Sequence, residues 1–146
     1  MDLLSIAADP VLLSGGVWWD FQTRLPCAPK TAPHAEHFCV LVVPFGVAYD
    51  REVHELSLPH ADEIRRNKGR MPDEIDSQVR AIALGRHVLK GWSNAELGGK
   101  ALAFSPDTAA KMLADPKWYF LRGFIESAAR SEQALLLEEE RQAAGN

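Results

Sequence analysis

Six consecutive apolar residues, Phe38-Cys39-Val40-Leu41-Val42-Val43, end at Pro44 and Gly46, and from Tyr49 onward the apolar positions recur at helical spacing. This change of period limits the folds open to the chain. A strand that is apolar at every position is covered on both faces. A second strand signal precedes it: Gly15-Gly16 followed by Val17-Trp18-Trp19-Asp20-Phe21, aromatic and β-branched. Alternation puts Trp19 and Phe21 on one face of that strand and Trp18 and Asp20 on the other. Pro26, Pro29 and Pro33 make the intervening segment a loop. The two strands therefore pair as an antiparallel ribbon. A ribbon alone is marginal, so helices have to cover it.

The rest of the chain supplies those helices. Tyr49, Val53 and Leu56 share a helical face that stops at Pro59. Residues 59–72 are polar and charged, and read as a loop or a poorly ordered helix. Pro72 suits a first helical position, with Asp73, Glu74 and Asp76 at the positive end of the dipole. Ile75, Val79, Ile82 and Leu89 then form one stripe, and Ala81, Leu84 and Val88 a nearly opposite one. A helix apolar on two sides is expected at the centre of the domain, ending at Gly91. Gly98-Gly99 marks a turn or short hairpin that delivers Leu102 and Phe104. Ser105-Pro106-Asp107 and Asp115-Pro116 are two helix starts, each with a capping side chain followed by proline. The last helix places Trp118, Leu121, Phe124, Ile125, Ala128, Leu135 and Leu136 in one arc. Tyr119, Arg122, Glu126 and Arg130 lie opposite.

The expectation is one domain of the α+β class, mainly α: a β-rich part over 15–48, a helical part over 49–137 and a frayed tail over 138–146. Residues 3–8 allow one further helical turn. At 146 residues, 47% hydrophobic and 25% charged, the chain can bury a core without staples.

The same residues bound the function. A net charge of −4 argues against an electrostatic grip on nucleic acid. The local basic cluster Arg65, Arg66, Lys68 and Arg70 is flanked by Asp62, Glu63, Asp73 and Glu74, and reads as solvated surface. No segment reaches the ~20 apolar residues of a membrane span, and the start has no signal-peptide pattern. Cys27 and Cys39 have neither metal-site nor disulfide-scaffold spacing, and are expected reduced in a cytoplasm. His34 and His37 form an HxxH in the proline loop, which lacks the spacing that sets two imidazoles on one α-helical face. No metal-ligand role is expected of them, and His54, His60 and His87 read as surface or half-buried polar residues rather than bases. There is no G-x-S-x-G elbow and no phosphate loop, and the acids are explained by capping and solubility. Neither enzymatic activity nor a cofactor or metal is expected. The tryptophans Trp18, Trp19, Trp92 and Trp118 belong mostly to the core. One of the adjacent pair faces outward, and Trp18, Trp19, Trp118 and Phe124 are the candidate partner-binding residues.

Three landmarks come in order: Gly16-Val17-Trp18 with the strand and the Ala48-Tyr49 helix start; Val88-Leu89-Lys90-Gly91-Trp92 followed by Leu102-Ala103-Phe104-Ser105-Pro106-Asp107; and Ala110-Lys111-Met112-Leu113-Ala114-Asp115-Pro116 before an aromatic-rich helix. Over about residues 15–130 this order resembles the tail assembly chaperones of siphophages, the long non-contractile-tailed bacteriophages. The resemblance implies a mainly helical, non-catalytic protein with a small N-terminal sheet, made in the host cytoplasm. It implies binding to the tape-measure and tail tube proteins, with self-association allowed, and absence from the mature virion. The free edge of the ribbon and the Trp118–Phe124 stripe are the expected docking surfaces. The alternatives are a structural tail or head–tail joining protein retained in the particle, and a small enzyme or metal-dependent hydrolase.

Overall fold

The computed structural model describes residues 15–131. It is mainly helical with a small antiparallel sheet, as the change of period predicts. The helical turn expected at 3–8, the tail at 138–146, and Leu135 and Leu136 lie outside the described residues.

Strands β1 (Val17–Asp20) and β2 (Cys39–Val42) pair antiparallel, with Trp19 opposite Val40 and Asp20 opposite Cys39. The sheet has a third strand, β3 (Leu89–Ser93), on the other side of β2. The two-stranded ribbon is thus corrected to order β1-β2-β3, with β2 central and Cys39 on one face and Val40 and Val42 on the other all buried. The expected helix over Leu89 and its end at Gly91 are corrected too. The helix stops at His87, and Leu89 reaches the core from β3 at 1% exposure. Pairing with β2 decides this, and helical periodicity carried one turn too far could not reveal it. Gly91 faces Leu41 across the register, and the Trp18 indole lies over the same spot.

Helix α1 (Val47–Ser57) buries Tyr49, and continues through a 3-10 turn (Leu58–His60) into the short α2 (Ala61–Arg66). Arg65, Arg66, Lys68 and Arg70 are all exposed. Helix α3 (Asp73–His87) buries Val79, Ala81, Ala83, Leu84 and Gly85. It packs on α1 and on α4 (Pro106–Ala114), the central place that two apolar sides require. Between β3 and α4 lies the expected hairpin, β4 (Glu96–Leu97) and β5 (Lys100–Ala101). Its Gly98 and Gly99 both have positive φ, 61° and 81°, which only glycine adopts without strain. The Ser105 side chain accepts the Thr108 N–H at 3.1 Å at the head of α4, and Asp115 accepts the Lys117 N–H at 3.1 Å. Helix α5 occupies residues 119–131, preceded by the 3-10 turn Pro116–Trp118.

One apolar cluster joins sheet and helices: Trp19, Val40 and Val42 meet Leu84, Leu89, Leu113, Phe124 and Ile125. Each fully buried aliphatic side chain of this kind contributes about 1.5–3 kcal/mol. On α5 the surface pairs are present, Arg122 to Glu126 at 2.7 Å and Arg130 to Glu126 at 3.6 Å.

Candidate functional site

Two features stand apart from the core: an aromatic groove and a buried carboxylate held by two histidines. The groove, about 490 Å³, lies where the sheet, the β4–β5 hairpin and the α4–α5 junction meet. Phe38, Trp92, Leu102, Met112, Trp118 and Leu121 line it, and Glu36, Asn94 and Glu96 supply polar atoms. Among its lining residues, Trp92 donates its indole N–H to the Leu102 carbonyl at 2.7 Å and meets Phe104 edge-on at 5.0 Å. Next along the chain, Tyr119 and Phe120 stack at 4.2 Å and are 62% and 69% exposed. An exposed aromatic stack beside an apolar groove is the kind of surface that marks a partner site.

Of the four residues predicted to face a partner, Trp118 is half-buried and lines the groove, and Trp18 is half-buried on β1. Trp19 and Phe124 are core residues, 6% and 8% exposed. The tryptophan pair therefore divides as strand alternation requires, one inward and one partly outward. The free edge expected of β1 is occupied. The Asp20 N–H donates to the Leu25 carbonyl and the Cys27 N–H to the Trp18 carbonyl, so the returning loop takes the strand's outer hydrogen bonds. Sequence reading did not single out Tyr119 and Phe120 as a pair, because Tyr119 was placed on the polar face and Phe120 had no periodic partner.

The second feature sits on the sheet face that carries Trp18 and Asp20. Asp20 is fully buried. Its Oδ2 lies 2.5 Å from His34 Nδ1 and 2.7 Å from His37 Nδ1. Its Oδ1 accepts the backbone N–H groups of Gln22 at 2.8 Å and Thr23 at 3.2 Å. Burial pushes the Asp20 carboxyl up, but hydrogen bonds from His34, His37, Thr23 and Gln22 together outweigh it and hold the group well below the usual carboxylate range.

The HxxH pair, read as a loop feature without a ligand role, converges on one oxygen: His34 and His37 both meet Asp20 Oδ2. The reason is local. Residues His34–Glu36 form a 3-10 turn closed by the His37 N–H on the His34 carbonyl at 3.0 Å. With three residues per turn, side chains at i and i+3 eclipse one another. The α-helical test therefore rejects a spacing that a tighter turn accepts. Asn94, in a left-handed conformation after β3, donates its side-chain N–H groups to the Ala35 and His37 carbonyls and clamps the turn. The sequence signal for Asp20 was a lone acid inside a strand otherwise built of apolar residues.

The two cysteines meet beside this centre, where the Cys27 thiol donates to the Cys39 Sγ at 3.7 Å and no disulfide joins them. Burial, then the neighbouring thiol, pushes Cys39 up to about 12, and burial raises Cys27 as well. Both stay protonated at neutral pH and are poor nucleophiles. His54 is exposed, His60 contacts Glu63 at 3.2 Å, and His87 lies 3.7 Å from Glu52. No helix of the described residues is long and apolar enough to cross a membrane.

No curated protein and no solved structure matches the chain. The phage origin that the resemblance implied rests on a family match instead, one that spans α1 to the end of the sequence and leaves out the β1–β2 ribbon and its histidine loop. Over residues 46–146 the chain matches the YdaY prophage protein family, and it belongs to that family.

Proposed function

We propose that this prophage protein is a tail assembly chaperone, which binds tape-measure and tail tube proteins during tail morphogenesis and performs no chemistry. The observation that carries the reading is the exposed Tyr119–Phe120 stack beside the groove lined by Trp118. Large apolar rings left in water cost free energy unless a partner covers them, and such a surface suits an apolar segment of an unassembled partner. The prophage family places the protein among phage gene products. The order of landmarks along the chain favours the chaperone over other phage roles. Action in the host cytoplasm and absence from the mature virion belong to the same proposal.

Co-expression with the tape-measure and tube proteins of the same prophage tests it. The expected result is co-purification of at least one of them, lost when Tyr119 and Phe120 are both changed to Ser. Both rings are exposed, so that variant retains the wild-type melting temperature. Failure of both tail proteins to accompany the wild-type chain would refute the chaperone role. Stoichiometric recovery of the protein from purified virions would replace it with a structural one.

A further inference from the structure

We propose that Asp20, His34 and His37 form a divalent-cation site of the zinc class, which fastens the three-proline loop to the sheet. The proposal stands on the convergence of their ligand atoms. One carboxylate oxygen and two imidazole nitrogens all lie within 4.8 Å of one another. Two imidazoles and a carboxylate are the donor set that first-row divalent metals take.

Three further observations fit a binding site better than an incidental polar cluster. The carboxylate is oriented before any ligand arrives, because two backbone N–H groups hold Oδ1 and leave Oδ2 to face the imidazoles. Such supporting hydrogen bonds are what metal-ligating carboxylates carry. The turn that pairs the histidines is itself clamped by Asn94. Finally, a carboxylate with no exposure needs a positive charge beside it. Among the described residues its ion-pair partners are the two histidines alone, with no lysine or arginine in reach. Either a proton on an imidazole or a metal cation meets that need.

The Oδ2–Nδ1 separations of 2.5 and 2.7 Å are those of the proton-bound form. Ligands held at 2.0–2.2 Å from one ion keep roughly 3–3.5 Å between them, so Oδ2 and each Nδ1 part by about 1 Å or less. Binding replaces the hydrogens on the two Nδ1 atoms, leaves each neutral ring protonated on Nε2, and releases any additional proton to solvent. The imidazoles are 22% and 20% exposed, which gives an ion a path from solution. Cys27 and Cys39 fall outside this cluster of ligand atoms and are not part of the site. The site is independent of the chaperone reading, since it lies outside the residues matched by the prophage family.

The test is titration of the chelator-treated full chain with Zn²⁺ by calorimetry, and with Co²⁺ by absorbance. One equivalent per chain is expected, with a Co²⁺ spectrum free of thiolate charge-transfer bands. His34→Gln and His37→Gln keep an N–H for Asp20 and the fold, as far-UV circular dichroism checks. Each is expected to weaken binding about 10-fold or more. Cys27→Ser with Cys39→Ser leaves binding unchanged. Substoichiometric binding, undiminished binding in the doubly substituted histidine variant, or loss of binding confined to the cysteine variant would each overturn the assignment.

Discussion

Replacing Gly85 with alanine adds one methyl group where α3 crosses α4. A Cβ at this position would lie 2.6 Å from the Ala110 nitrogen, 2.7 Å from Ala110 Cα and 2.8 Å from the Ala109 carbonyl carbon. All three are backbone atoms, so no side chain can swing aside and the helices must separate. Overpacking of this kind costs about 1–3 kcal/mol, and sometimes more. Against it stands the intrinsic preference of a helix for alanine over glycine, about 1 kcal/mol. The contacts are so short, and the partner so stiff, that the steric cost wins. Residues Leu84, Ala109, Ala110 and Leu113, all under 5% exposed, also lose contact as the helices part. The expected net loss is about 1–3 kcal/mol, which lowers the melting temperature by roughly 3–12 °C for a chain of this size.

Gly123→Ala is the matched control. It makes the same substitution in α5, at an exposed position where a Cβ meets nothing within 4 Å. Propensity acts there alone, and stability should rise by about 0.5–1 kcal/mol. Thermal and urea unfolding followed by circular dichroism compare the two variants with the wild type. A Gly85→Ala protein as stable as the Gly123→Ala protein would refute the close α3–α4 approach.

Ser105→Ala removes the acceptor for the Thr108 N–H and should cost about 1 kcal/mol in urea unfolding; an unchanged midpoint would mean that the cap contributes nothing. Alkylation with iodoacetamide at about pH 8 should be far slower for the native chain than for the denatured one, with Cys27 modified before buried Cys39, as peptide mass spectrometry reports. Because the folded Asp20 carboxyl is held below its unfolded value of about 3.9, its contribution to stability is complete above that pH and is lost as the pH falls below it. In chelator-treated protein, Asp20→Asn should therefore melt well below the wild type at about pH 6, with the gap beginning to narrow only once the pH falls below about 4.

The sequence alone determined the parts whose signals are local. Ser105-Pro106, Asp115-Pro116 and Gly98-Gly99 set helix starts and a tight turn through capping atoms, fixed proline φ and glycine's positive φ, all within a few residues. The unbroken apolar run 38–43 called for a strand covered on both faces, and the two-sided helix after Pro72 called for a central one. Tertiary structure decided what depends on residues far apart. Leu89–Ser93 became a strand because β2 lay open to pair with it, overriding a helical period that ran on through Leu89. Gly85 is a contact point only because Ala109 and Ala110 come against it. Asp20, His34 and His37 meet because a strand end and a 3-10 turn, separated by a proline loop, close on one oxygen. A cap or a turn is fixed by neighbours along the chain, whereas a close approach or a ligand cluster is fixed by distances that exist only after the chain has folded.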